Sequence, residues 1–181
     1  MKCPACKTPV LESLDPDEVP QRLVCGRCGG QWIKAFQYWK WLKAHGDNLP
    51  EKPPEEGKSL PVSDSIAAKL CPECGRFLCR SKVGHGVVFH IDRCTSCGGI
   101  WFDKNEWEIL ESRNLHDDVH FIFSAAWQHS VAKEEQRRTY EQRVETILGK
   151  EAFDRVKDFK SWANNHPRHH TIKAFLADLD V

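Results

Sequence analysis

The stretch CTSCGGIWFDKNEWEIL, Cys94 to Leu110, repeats the plan of CGRCGGQWIKAFQYWKWL, Cys25 to Leu42. Each runs Cys-x-x-Cys-Gly-Gly, one residue, Trp, and then a helix-like run. Upstream of each lies another pair, Cys3/Cys6 and Cys71/Cys74, so that only Cys79 stands outside the Cys-x-x-Cys pairs. The gap between pairs is nearly equal in the two units and is that of a structural zinc ribbon. Two intervening residues let one tight turn aim both sulfurs at a single ion. The longer gap holds two strands and a reversal that bring the second turn opposite the first. Zinc then takes a closed tetrahedron of four thiolates. The expected ligands are Cys3, Cys6, Cys25 and Cys28 for one zinc ion and Cys71, Cys74, Cys94 and Cys97 for a second.

The turn chemistry agrees. Gly26, Gly29, Gly75 and Gly98 adjoin ligand cysteines, where a positive φ is often needed. FLCRSKV and VVFHID flank Gly84-His85-Gly86, a hairpin signal, and Ile100-Trp101-Phe102 reads as a third short strand. Asp103 with Glu106 three residues later spells a capping box for the following helix. The first unit has Lys34 and Gln37 at those places and lacks the box. Trp32 aligns with Trp101, and each is expected to pack inside its own ribbon. Cys79 aligns with Leu11 and reads as a small core hydrophobe. Units of about forty residues sit near the size where a hydrophobic core alone fails. Zinc binding of roughly 10–16 kcal/mol can then be the folding energy. A redox motif would be one pair at a strand-to-helix junction, which does not explain four pairs in two matched sets.

CPECGRFLCRSKVGHGVVFHIDRCTSCGGIWFDKNEWEIL resembles the transcription-factor-IIB-type zinc-ribbon family, whose pattern is CPxC, a strand hairpin, then CxxCGGxWxDxxE leading into a helix. The likeness covers residues 71–110 almost wholly. Residues 3–42 resemble the family too, without the Asp and Glu after the Trp. The resemblance implies zinc ligation by the eight paired cysteines and brings no catalytic residues.

The chain thus reads as a small zinc-stabilised α+β protein. Residues 1–46 form the first ribbon, short antiparallel strands plus a helix, and residues 67–113 the second. Between them, 47–66 reads as a proline-rich linker holding the ribbons apart, with Pro50, Pro53, Pro54 and Pro61. Residues 114–181 lack cysteine and form a helical region. Val119, Ile122, Phe123, Ala126 and Trp127 make an apolar stripe that continues through Tyr140, Val144 and Leu148 to a stop at Gly149. Ala152, Phe153, Val156, Phe159 and Trp162 mark a second helix. Pro167 opens a third, with Ile172, Phe175, Leu176 and Leu179. These helices are expected to pack on one another or on the second cysteine unit.

Lys and Arg total 26 in 181 residues and Asp and Glu also 26, with no basic block of the kind a phosphate-backbone binder shows. No apolar run approaches a membrane span and no secretory leader precedes Cys3, so the expected compartment is the cytoplasm, where thiols stay reduced. Four-thiolate sites leave no water position for Lewis-acid chemistry, so an enzyme is not expected; one would have to draw on His116, His120 or His129. The expected role is an adaptor docking on a protein partner, with a transcription-related setting as one option. A nucleic-acid-binding regulator is the alternative, disfavoured by net charge. Lys34, Phe36, Tyr38, Trp39, Lys40, Trp41 and Lys43 interleave aromatic and basic side chains and are the candidate contact residues.

Overall fold

At Gly84 the chain turns back on itself: His85 and Gly86 both have positive φ, and Gly84 pairs with Val87 across a two-residue turn. This hairpin joins β4 (Cys79–Gly84) to β5 (Val87–Arg93), and β6 (Ile100–Phe102) returns antiparallel beside β5. The first unit builds the same motif with shorter strands, β1 (Glu12–Ser13), β2 (Leu23–Val24) and β3 (Gln31–Ile33), followed by α1 (Ala35–His45). The computed structural model describes residues 1–7, 10–13, 20–45 and 60–178.

The ribbons are not held apart. Strand β3 pairs with β6, giving one six-stranded sheet in the order β1-β2-β3-β6-β5-β4. Its centre is an approximate twofold: Trp32 faces Trp101, and Gln31 and Ile33 face Phe102 and Ile100. Each strand would otherwise present an unpaired edge, and each satisfies the other's backbone groups. The tryptophans therefore do not stay within their own ribbons. Trp32 lies against Gly99, and Trp101 against Gly30. The second glycine of each Cys-Gly-Gly-x-Trp motif is the seat for the tryptophan of the other.

Side chains alternate across the sheet. Trp32 and Trp101 share one face with the cysteines, forming a layer with Cys3, Leu11, Cys25, Cys71 and Cys94. Ile33, Ile100 and Phe102 share the other, larger core with Val83, Val87, Phe89 and Ile91. Three helices contribute to that core: α1 through Tyr38 and Trp41, α2 (Glu106–Ser112) through Trp107 and Leu110, and α3 (Val119–Ile122) through Val119 and Ile122. Tyr38 aligns with Trp107 and Trp41 with Leu110, so the duplication places equivalent helix positions in one shared core.

Ser124 interrupts the predicted 119–127 stripe, and α4 (Ala125–Leu148) starts afresh. Its first turns cover the sheet edge, with Trp127 Nε1 donating to the Val83 carbonyl at 2.7 Å and Gln128 Nε2 to that of Lys82 at 2.9 Å. The helix stops before Gly149 as expected; α5 (Lys150–Asn165) and α6 (His169–Ala177) follow, with Pro167 in the turn ahead of α6. The chain divides into two compact units, Met1–Val131 and Ala132–Val181. Among the described residues no helix is long and apolar enough to cross a membrane.

The predicted linker lies outside the described residues up to 59. Beyond it, Val62 packs on the larger core, and Asp64 pairs with both Arg80 and His90. Cys79 lies exposed at the start of the edge strand, so its expected place in the core does not hold; it faces part-buried Arg93 at the end of the hairpin away from Val83.

Candidate metal centres

Four knuckles carry the ligand cysteines, and all close the same way. The backbone N–H four residues after the first cysteine donates to that cysteine's carbonyl: Lys7 to Cys3 (3.1 Å), Gly29 to Cys25 (2.8 Å), Gly75 to Cys71 (3.0 Å) and Gly98 to Cys94 (2.9 Å). The donor has positive φ each time. Glycine supplies that conformation three times and Lys7 once, whereas Gly26 lies outside the left-handed region. Backbone N–H groups also approach sulfur, Cys6 to Cys3 Sγ at 3.5 Å, Glu73 to Cys71 Sγ at 3.4 Å and Cys97 to Cys94 Sγ at 3.5 Å.

The knuckles bring four sulfurs together in each ribbon, all within 4.8 Å of one another. In the first, Cys3 and Cys28 Sγ are 3.6 Å apart and Cys6 and Cys25 Sγ 3.4 Å. In the second, Cys71–Cys97 is 3.5 Å and Cys74–Cys94 3.4 Å. Sulfur–metal bonds of about 2.3 Å give a tetrahedron with edges of about 3.8 Å. A disulfide requires about 2.05 Å, and none of the nine cysteines forms one. The donor sets fit two zinc ions, one per ribbon. Each site would be closed by protein ligands, with no position for water or substrate. Burial pushes the thiols of Cys3, Cys28, Cys71 and Cys97 up. At Cys94 burial is outweighed by the N–H groups of Cys97 and Ser96, which bring it down to about 7. Metal binding at such thiols displaces protons.

A buried polar network supports the second ribbon. Lys69 Nζ donates to Asp92 Oδ2 at 2.7 Å, lies 3.1 Å from Asp103 Oδ2, and also reaches the Ser65 carbonyl. Burial works against the Lys69 charge, but Asp92 and Asp103 more than offset it and raise its pKa. Asp103 also accepts from Trp101 Nε1 (2.8 Å) and from the Ser65 N–H (3.0 Å). Only half of the expected capping box forms: Glu106 Oε2 accepts from the Asp103 N–H at 2.7 Å, while the Asp103 carboxylate is occupied elsewhere and α2 begins after Asn105. Asp64, Asp103 and Glu106 group their carboxylates closely. Lys69 already supplies a cation there, and burial pushes Glu106 up to about 9, so Glu106 holds a proton instead of a negative charge.

The candidate contact residues separate into two sets. Tyr38 and Trp41 are buried and cannot meet a partner; Tyr38 donates its hydroxyl to the Asp117 carbonyl at 2.7 Å, and Trp41 packs on Trp107. Phe36, Trp39, Lys40 and Lys43 lie along the exposed side of α1, and Lys34 is exposed just ahead of it. The Trp39 ring sits 5.1 Å from that of His120, which stacks on exposed Phe121. Phe121 extends the patch and was missed in the sequence; the available signal was an aromatic residue standing off the 119/122/123 stripe. His116 and His120 do not converge as ligands: His116 packs against Trp41 and Trp107, and His120 faces Tyr38 and Trp39.

The family model described as Transcription factor zinc-finger matches residues 70–113. No curated protein and no solved structure matches the chain. The match spans β4, β5, β6 and α2 together with the four sulfurs of the second cluster. Residues 70–113 of this chain are therefore a zinc ribbon of the transcription-factor-IIB type.

Proposed function

We propose that this chain is a zinc-stabilised adaptor that docks an acidic, apolar segment of a protein partner on the outer face of α1. The observation that carries this reading is the exposure of Phe36 at 72% and Trp39 at 48% on a helix whose opposite side, Tyr38 and Trp41, is locked in the core. A rigid helix presenting two aromatic anchors loses little conformational freedom on binding. Phe121 widens the apolar area, and Lys40 and Lys43 favour carboxylates at its rim. The metal centres hold the sheet beneath this face and take no part in chemistry.

The test is affinity purification of the native chain and of Trp39→Glu, each checked for two bound zinc ions. A stoichiometric protein recovered with the native chain and lost with the variant supports the adaptor. Equal recovery by both removes α1 as the docking face. Salt-sensitive binding of single-stranded nucleic acid that Trp39→Glu abolishes would assign the same face to a nucleic-acid regulator instead.

A further inference from the structure

From Ala132 on, the helices carry apolar side chains that lie exposed among the described residues. Tyr140, Val144, Ile147 and Leu148 share one side of α4; Val156, Phe159 and Trp162 share one side of α5; Ile172, Phe175 and Leu176 share one side of α6. All of these except Val144 and Ile172 are exposed, Ile147 at 72% and Trp162 at 54%, and among the described residues from 132 to 178 Ala163 alone is buried. A helix as short as α6 is marginal by itself in water, and helices in proteins draw most of their stability from packing an amphipathic face. Ordering their backbone costs about 1–2 kcal/mol per residue, which one buried alanine cannot offset. The stripes need a cover.

We infer that the cover is a second copy of this chain, the C-terminal helices pairing as a two-fold dimer. Area is the first argument. The exposed apolar side chains together present on the order of 800 Å², which is what one partner contributes to a stable interface. Charge is the second. Residues 132–181 hold ten Lys and Arg against nine Asp and Glu, interleaved along the helices. A strongly acidic or basic partner finds no opposing field there, whereas a two-fold copy can set each sign against the other. Phe159, Trp162 and Phe175 are the anchors such an interface uses. Pairing also carries two α1 faces on one particle, which raises avidity for a partner that repeats its binding segment.

Sedimentation velocity of the full zinc-loaded chain at tens of micromolar tests this, and the expected result is a two-chain species. The double variant Phe159→Glu/Trp162→Glu is expected to raise the dimer dissociation constant at least about thirtyfold, with two zinc ions per chain retained. Phe175→Arg on α6 should weaken the dimer in the same direction, while Trp39→Glu on α1 leaves it unchanged. A native chain that sediments as a monomer at that concentration overturns the inference, as does a dimer that survives both C-terminal variants.

Discussion

Trp101 lies so close over Gly30 that a β-carbon added there would stand 2.2 Å from ring atom Cζ2, and Trp32 approaches Gly99 in the same way, at 2.1 Å. Neither glycine is in the left-handed region, so it is space and not φ that demands glycine. Gly30→Ala and Gly99→Ala should each destabilise the sheet by about 1–3 kcal/mol through overpacking. Thermal melting of each variant against the native chain, with zinc content measured alongside, checks this. An unchanged melting temperature would mean that the ribbons do not pair through β3 and β6.

That pairing also couples the metal sites. Cys94→Ser removes a ligand of the second ribbon, and β6 should loosen with it. Because β3 is hydrogen-bonded to β6, amide exchange should then quicken in β3 as well, and the first site should bind zinc more weakly than in the native chain. Two independent ribbons would show exchange changes confined to residues 60–113.

The two tryptophans differ in one respect. Trp101 donates its indole N–H to Asp103, whereas Trp32 Nε1 is buried with no acceptor among the described residues, because Lys34 stands where the repeat calls for aspartate. Lys34→Asp should supply that acceptor and stabilise the protein by about 0.5–1.5 kcal/mol. The Lys34–Glu73 ion pair lost in exchange is 3.8 Å long and part-exposed, and pairs of that kind contribute at most about 1 kcal/mol. A melting temperature raised by a few degrees is the expected reading, and a lowered one counts against it.

Glu106 should make stability depend on pH. Burial raises its carboxyl to about 9, against the stabilising N–H of Asp103 and with the charges of Asp103 and Asp64 adding to the rise. In the unfolded chain it ionises near about 4.3. The folded state therefore holds a proton that the unfolded state has lost between those values. This contribution is full below the lower value and disappears as pH climbs to the upper one. Glu106→Gln keeps an acceptor for the Asp103 N–H and cannot ionise. The melting-temperature gap between variant and native chain should widen in the variant's favour from pH 6 to pH 9, since both carry the same zinc sites. A gap that stays flat across that range would remove Glu106 as the titrating group.

The metal centres were legible in the sequence because ligand chemistry is local. Cys-x-x-Cys with glycine after it specifies a turn, the spacing specifies how many strands fit between turns, and neither needs a distant neighbour. The Gly84-His85-Gly86 hairpin and the stop at Gly149 were legible for the same reason: positive φ and helix termination are properties of a few adjacent residues. Periodicity gave the apolar side of α1 less clearly, since Phe36, Tyr38, Trp39 and Trp41 together mark no single face. Burial of Tyr38 and Trp41 depends on Trp107, Val119 and Ile122, which come from the other repeat and beyond.

What only the tertiary structure decided is the joining of the ribbons and the attachment of residues 60–65 to the second one. Strand pairing runs through backbone N–H and C=O groups that every residue shares, so an edge carries no mark of its partner. The repeated Gly-Gly-x-Trp was visible in the sequence, but its sense, a seat and a ring exchanged between halves, appears only when β3 meets β6. The chain alone determined two sulfur cages; packing made them one sheet, because two short ribbons with open edges and matching rings bury more together than apart.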